Sequence, residues 1–281
     1  MPELPEVETM RRGVAAAVGC RIRSLMRAAC ALKPIGLSPR LDAFRRRAVG
    51  RTITGLGRAG KRVVVELDSA DRIVLEPRMT GLVLLSEPPN REHLRLVIGL
   101  SGGPAKELLY WDRRGLGSVR LVSPAQFAER YGPARLGPDA LALSPELLRD
   151  RLKSTRRAIK VALLDQRAIA GIGNLYASEI LHVARIHPGR RADSLVGREW
   201  QALHAAMMGV LDEAILCEGS TLSDGTYRNA LNQSGSYQQR HKVYDRHGEI
   251  CKECGEGPIT RIIQAQRATF YCPACQRKRA R

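Results

Sequence analysis

Met1-Pro2-Glu3-Leu4-Pro5-Glu6-Val7-Glu8-Thr9-Met10-Arg11-Arg12-Gly13 sets two prolines and three acids ahead of an apolar pattern. Val7, Met10, Val14 and Val18 recur at helical spacing and Gly19 closes the run, so a capped helix is expected to start at residue 5 or 6. Acids at its beginning favour the positive end of the helix dipole. The same residues carry a second chemistry. Met1 ahead of the small Pro2 is a favourable substrate for methionine removal, which exposes a secondary amine. Such an amine forms Schiff bases with sugar aldehydes, and Glu3 and Glu6 stand beside it for proton transfer. On these residues alone, a helix start is the simpler account.

Outward from this segment the pattern changes. Between about 51 and 122, short β-rich runs occur at Arg62–Leu67, Ile73–Leu75, Leu82–Leu85, Leu94–Leu100, Glu107–Trp111 and Ser118–Val122. Turn residues such as Pro88-Pro89-Asn90 and Ser101-Gly102-Gly103 separate them, which predicts an antiparallel sandwich or barrel. Gly132-Pro133 and Gly137-Pro138 mark a linker. Helical periods follow near 145–153, 156–166, 173–185 and 197–217; Gly171-Ile172-Gly173-Asn174 begins one of these helices and Ile186-His187-Pro188-Gly189 follows it, a helix, turn, helix arrangement. The segment around 219–240 is rich in Gly and Ser and reads as a mobile loop.

Near the end, Cys251 and Cys254 form one C-x2-C pair and Cys272 and Cys275 another, with 17 residues between them. That spacing is the signature of a four-thiolate zinc site. The β-prone stretch Thr260–Tyr271 supplies a hairpin, and one structural zinc ion replaces the core that so short a module cannot build. Four thiolates leave no open coordination position, so the ion is expected to be structural. The hairpin presents Gln264, Gln266 and Arg267, and a guanidinium on a rigid loop suits a phosphate.

The 281 residues carry 46 Lys and Arg against 28 Asp and Glu, a formal charge of +18, and this points to a polyanionic partner, nucleic acid first. No apolar run long enough to span a bilayer and no secretory leader is present, so a cytoplasmic, nucleoid-associated protein without membrane contact is expected.

Four stretches in order carry a resemblance: Met1–Thr9 with Arg11-Arg12-Gly13; Arg78-Met79-Thr80-Gly81; Gly173-Asn174-Leu175-Tyr176-Ala177-Ser178-Glu179; and Ala265-Gln266-Arg267-Ala268-Thr269-Phe270-Tyr271-Cys272. Over nearly its whole length the chain resembles the formamidopyrimidine-DNA glycosylase family. The resemblance implies an α+β multidomain fold. Residues 1–132 would form an N-terminal antiparallel β-sandwich with flanking helices and hold the catalytic centre. Residues 133–242 would form a helix-two-turn-helix DNA-binding domain, and 243–281 a four-cysteine zinc-finger β-hairpin.

It also implies base excision of oxidised purines, 8-oxoguanine and formamidopyrimidines, from duplex DNA, with strand cleavage at the resulting abasic site. Pro2 would attack C1′ of a flipped-out nucleotide, and the imine would decay by β- and δ-elimination. Glu3 would assist sugar-ring opening, Lys61 matches a catalytic lysine, and Arg267 matches the hairpin arginine on the lesion phosphate. Among DNA-binding positions, Glu6 would position the terminus, while Asn174 at a helix start and Lys160, on a basic face with Arg156 and Arg157, would grip phosphate. Met79 would be the wedge that fills the space of the flipped base, with Arg114 and Leu116 beside it. Leu116 stands where the family usually has Phe, and fills space without stacking. Glu76-Pro77-Arg78 and Arg91-Glu92-His93 depart from the family pattern, and both, with Arg91, are expected on the DNA face. One active site per chain suits a monomer.

Two rival readings remain. An endonuclease VIII-like glycosylase acting on oxidised pyrimidines typically has Gly after Pro-Glu, where this chain has Leu4. A catalytically idle zinc protein that binds damaged DNA would not need Pro2, Glu3, Lys61 and Arg267 together.

Overall fold

A computed structural model describes residues 2–278, so Met1 and its expected removal, with the last three residues of the basic tail 277–281, lie outside the described residues. Helix α1 (Leu4–Gly13) begins one residue earlier than the sequence pattern predicts. Glu3 takes the cap position in an extended conformation, and Pro5 occupies the first turn, where no N–H is required. The helix also stops early. Gly19 already donates its N–H to the Ile53 carbonyl at 2.8 Å, and Ile53 donates back to Cys20 at 2.9 Å, so the chain has joined a sheet by then.

The next elements are β1 (Arg21–Arg27), β2 (Gly36–Ser38), α2 (Leu41–Ala48), β3 (Ile53–Arg58), β4 (Val63–Leu67), β5 (Arg72–Glu76), β6 (Gly81–Leu84), β7 (Leu94–Ser101), β8 (Glu107–Asp112), β9 (Ser118–Val122) and α3 (Pro124–Tyr131). They form a four-stranded sheet in the order β1-β7-β8-β6 and a five-stranded sheet in the order β2-β9-β5-β4-β3. All pairings are antiparallel except β2 with β9. The six expected strands appear within a residue of their bounds, whereas β1, β2 and β3 were not anticipated. In β1 only Ile22 and Leu25 are buried, three residues apart among arginines, and β3 holds Gly55 and Gly57, so neither shows an apolar alternation.

Residues of both sheets, Val63, Val65, Ile73 and Leu75 with Ile22, Leu25, Ile98 and Leu108, share one core with Val7 and Met10 of α1 and Phe44 of α2. Each is 1% exposed or less. Burying a side chain of this size contributes about 1.5–3 kcal/mol, so the core fixes the helix that carries the chain start. Glu8 adds an electrostatic lock. Its carboxylate meets Arg11 at 2.7 Å, Arg12 at 2.8 Å and Arg58 of β3 at 3.1 Å.

Chain packing defines two compact units, and the boundaries differ from the three expected segments. The first runs to Arg135 and takes in Ile215–Gln238; the second is Leu136–Ala214 with the chain from Gln239 onward. The second unit contains α4 (Pro145–Leu152), α5 (Ile159–Leu163), α6 (Asn174–Val183) and β10 (Thr260–Gln264) paired with β11 (Arg267–Tyr271). Helix α7 (Gly197–Leu216) ends just past the unit boundary. Gln166 spans the turn between α5 and α6, accepting from Gly171 N–H at 3.0 Å and donating to the Ile172 carbonyl at 2.8 Å. Helix α5 is shorter than the expected 156–166, because Arg157 accepts from Ala192 at 3.0 Å and the strand-like bridge Ala158–Arg191 precedes the helix.

Burial would raise the carboxyl of Glu8, but hydrogen bonds from Arg11, Arg12 and Arg58 outweigh it and hold it at about 2, below the usual 4.5. Its stabilisation is therefore complete above about 4.5 and is lost as pH falls toward 2. Glu8→Gln should remove that part of the acid sensitivity and cost on the order of 3 kcal/mol at neutral pH, measured by urea unfolding across pH.

Candidate functional site

In the first unit the chain start is held by a carboxylate. Pro2, Glu3 and Glu6 are all buried. Glu3 donates its backbone N–H to Glu6 Oε2 at 2.8 Å, and Ser220 donates its backbone N–H to Glu6 Oε1 at 2.9 Å. The adjoining Gly219 has φ +79°, and a Cβ there would come within 2.8 Å of the Glu6 side chain, so only glycine fits this approach. The segment expected to be mobile has its own hydrogen bonds: Thr221 Oγ1 donates to the Tyr227 carbonyl at 2.8 Å and accepts from Gly235 N–H at 3.0 Å. Tyr227 donates its hydroxyl to the Glu218 carbonyl at 2.9 Å, and burial, then the nearby Glu6 charge, push its phenol well above the usual range.

Lys61 sits half-buried in the β3–β4 turn, which closes through Ala59 N–H donating to the Arg62 carbonyl at 3.0 Å, with Gly60 at φ +57°. Met79 and Leu116 lie on two loops and are 38% and 39% exposed. A residue that sequence reasoning missed joins these loops. The fully buried Asp112 accepts from Thr80 Oγ1, from Arg114 N–H at 3.2 Å and from Gly117 N–H at 2.8 Å. Thr80 Oγ1 in turn accepts from Arg114 N–H at 3.0 Å.

Glu76, noted in the sequence only as a departure, binds three cations: Arg62 at 2.9 Å, Arg78 at 3.2 Å and Arg120 at 3.3 Å. Burial opposes ionisation there, yet the three guanidinium groups lower its carboxyl overall. Arg78, next to Met79, adopts φ +54°, a strained value for a residue with a side chain. Arg91 is exposed and pairs only loosely with Glu87, at 3.5 Å.

In the second unit Lys160 does not lie on a basic face with Arg156 and Arg157, because α5 begins after them. It is fully buried, and its ammonium donates to Asn174 Oδ1 at 2.5 Å, Thr269 Oγ1 at 2.8 Å and the Ala268 carbonyl at 3.2 Å. Asn174, the first residue of α6, donates from Nδ2 to the same carbonyl at 2.9 Å. A buried ammonium with three acceptors thus fastens two helices to the hairpin beside Arg267. Arg267 itself is exposed, directly after Ala265 and Gln266, whose φ values of +45° and +61° make a tight two-residue turn.

Further along α6, Glu179 is fully buried and accepts the backbone N–H groups of Lys242 at 2.8 Å, Val243 at 2.9 Å and Tyr244 at 2.7 Å. Desolvation raises its carboxyl against these hydrogen bonds.

The sulfurs of Cys251, Cys254, Cys272 and Cys275 all lie within 4.8 Å of one another. An ion bonded to four tetrahedral thiolates at about 2.3 Å sets them about 3.8 Å apart. Cys251 to Cys275 at 3.9 Å and Cys254 to Cys272 at 3.6 Å fit that geometry, so the four thiols are placed to hold a metal ion. His182, unassigned from sequence, places Nε2 3.5 Å from Cys251 Sγ; desolvation, then the charge of Lys242, lower its imidazole to about 4.

The first unit thus carries two sheets and a tethered chain start, and the second carries helices and a four-cysteine hairpin. The formamidopyrimidine-DNA glycosylase N-terminal domain matches residues 1–119, and the H2TH domain of the same glycosylase matches 136–226. The chain is 39% identical to the formamidopyrimidine-DNA glycosylase of Chloroflexus aurantiacus, covering 98% of each, and 39% identical to that of Geobacillus kaustophilus, covering 99% of this chain and 100% of the relative. Among solved structures it is similar to Thermus thermophilus MutM (Fpg), with TM-score 0.84, 36% identity and 98% of each chain covered. It is similar also to Lactococcus lactis Fpg in complex with abasic-site DNA, with TM-score 0.85, 31% identity and coverage of 98% of this chain and 100% of that one. The chain belongs to the formamidopyrimidine-DNA glycosylase family.

Two outcomes follow from this geometry. Purified protein should contain about one metal ion per chain, and Cys251→Ser or a strong chelator should lower that content and open the hairpin to protease. Lys160→Met leaves the Asn174 and Thr269 acceptors without this donor and should destabilise the second unit by about 1–3 kcal/mol, read by thermal unfolding.

Proposed function

We propose that the chain excises oxidised purines from duplex DNA and cleaves the abasic strand, with Pro2 as nucleophile. As a member of this family it is a DNA glycosylase with abasic-site lyase activity, and it acts in base excision repair. The observation that carries the Pro2 assignment is the placement of the chain start. Residues 2 and 3 are buried, and the Glu3 N–H is bound by a carboxylate that also binds Ser220. A nucleophile at a chain end needs such a tether, since termini otherwise fray.

In this reading the amine freed by removal of Met1 attacks C1′ of the extruded nucleotide, the damaged base leaves, and an imine joins Pro2 to the opened sugar. Glu3 moves the proton that opens the ring, while Glu6 holds Glu3 and Ser220 in register. Lys61 works beside Pro2. Successive β- and δ-elimination then cut the strand, with Arg267 holding the lesion phosphate.

Met79 fills the gap left by the flipped base, and Arg114 and Leu116 face the orphaned partner base. Asn174 offers phosphate the N-terminus of α6; Lys160 acts by holding Asn174. Arg91, exposed, contributes long-range attraction to the backbone. The four-cysteine site holds zinc, which braces the hairpin and takes no part in the reaction. The protein works as a monomer in the cytoplasm, on the nucleoid. Among the described residues no helix is long and apolar enough to cross a membrane.

Borohydride reduction during reaction with duplexes carrying 8-oxoguanine, a formamidopyrimidine, an oxidised pyrimidine or an abasic site tests this proposal. A covalent protein–DNA adduct is expected, strongest with the purine lesions, carried on the N-terminal residue and lost when the terminal amine is acetylated. An adduct that maps to another residue would end the proline assignment, and preference for the pyrimidine would favour the endonuclease VIII-like reading.

A further inference from the structure

We propose that a cavity of about 290 Å³ in the first unit, between the 89–93 loop, the end of β8 and the 224–228 segment, is a separate phosphate-group site. Pro89, Asn90, His93, Trp111, Arg113 and Arg228 line it, with Asp224, Gly225 and Thr226 completing the wall. His93 falls in the Arg91-Glu92-His93 stretch expected on the DNA face, and none of the other lining residues belongs to the catalytic or DNA-contact set above.

Two of its lining residues hold buried nitrogens without a hydrogen-bond partner among the described residues: His93 Nδ1 and Arg228 Nε. Native folds rarely leave such groups unmet, and two of them on one cavity point to a ligand that accepts hydrogen bonds. The charge agrees. Arg113 and Arg228 face a single carboxylate, Asp224, and one oxygen of that carboxylate already accepts the Thr226 N–H at 3.1 Å.

The back wall is preset. Trp111 donates its indole N–H to the Asn90 carbonyl at 3.0 Å and to Asn90 Oδ1 at 3.2 Å, and the His93 ring stands edge-on to the indole at 5.4 Å. Asn90 Oδ1 also accepts the His93 backbone N–H at 3.2 Å, so what that carboxamide offers a ligand is its NH₂. Guanidinium, imidazole and amide donors around one acidic group select an anion with several acceptor oxygens, as a phosphate has.

The phosphate has two sources, the backbone of bound DNA or a free phosphate or mononucleotide. The first rests on the DNA reading above and adds a contact to it; the second does not depend on that reading. The test uses the full-length protein, the double variant Arg113→Gln/Arg228→Gln, and His93→Phe, which keeps the ring against Trp111 and removes both imidazole nitrogens.

Binding to an abasic-analogue duplex is followed by fluorescence anisotropy over a range of salt at pH 8. The double variant should bind about tenfold more weakly, and the slope of log affinity against log salt should fall by about 0.9, the signature of one lost phosphate contact. His93→Phe should weaken binding about threefold. In parallel, inorganic phosphate and deoxyadenosine 5′-monophosphate are titrated against each protein without DNA, with ³¹P line broadening as readout.

Altered salt slope without ³¹P broadening assigns the site to the DNA backbone. Broadening that the double variant abolishes assigns it to free phosphate. Unchanged slope, affinity and broadening in the double variant would overturn the site. So would a double-variant effect on DNA that His93→Phe does not share, because the arginines would then act only as surface charge. Should the wild-type protein bind no duplex, the functional reading above fails by itself, and the ³¹P arm alone decides this cavity.

Discussion

The carboxylate of Glu6 joins the first residues of the chain to a segment 214 positions away. One oxygen accepts the N–H of Glu3 and the other the N–H of Ser220, so α1 and the 219–240 segment are fixed against each other. Chain ends ordinarily carry little structure. Here the end is packed under a core that includes Val7 and Met10, tied by Glu6 and braced by the Glu8 arginine cluster. The reacting amine proposed for this protein has no side chain to aim it, so backbone placement must do that work.

A second theme is the division of labour between charges. The chain has a large cationic excess, yet its buried acidic and basic side chains are mostly acids, Glu6, Glu8, Glu76, Asp112 and Glu179 among them. Each accepts hydrogen bonds from backbone N–H groups or arginines and so orders a loop or a cluster of cations. Asp112 does this for the loops that carry Met79, Arg114 and Leu116; Glu76 does it for Arg62, Arg78 and Arg120. Lys160 is the inverse case, a buried cation that gathers acceptors. In a protein meant for a polyanion, buried acids set where the exposed arginines stand.

The cysteine spacing was legible because four ligands in two close pairs leave few alternatives, and the six central strands because their apolar runs are bounded by turns. The resemblance of the chain start supplied what periodicity could not, since Pro-Glu-Leu-Pro-Glu alone reads as a helix cap. What stayed hidden depends on partners remote in sequence. Nothing near Lys160 announces that Thr269 will accept from it, and the three arginines in β1 mask a strand that pairs with β7. Asp112 and Glu179 look like ordinary surface acids until the fold brings backbone N–H groups to them.

The chain leaves its first unit after Arg135, returns for Ile215–Gln238, and leaves again. A ribosome therefore cannot release a finished N-terminal unit when residue 135 emerges; Ser220, Tyr227 and Ala230 are still to come. During synthesis the nascent sheets wait with part of their core uncovered while the helical segment is made. Folding of the two units is interleaved in time, and a gene split at residue 135 would yield a first fragment lacking part of its own interior.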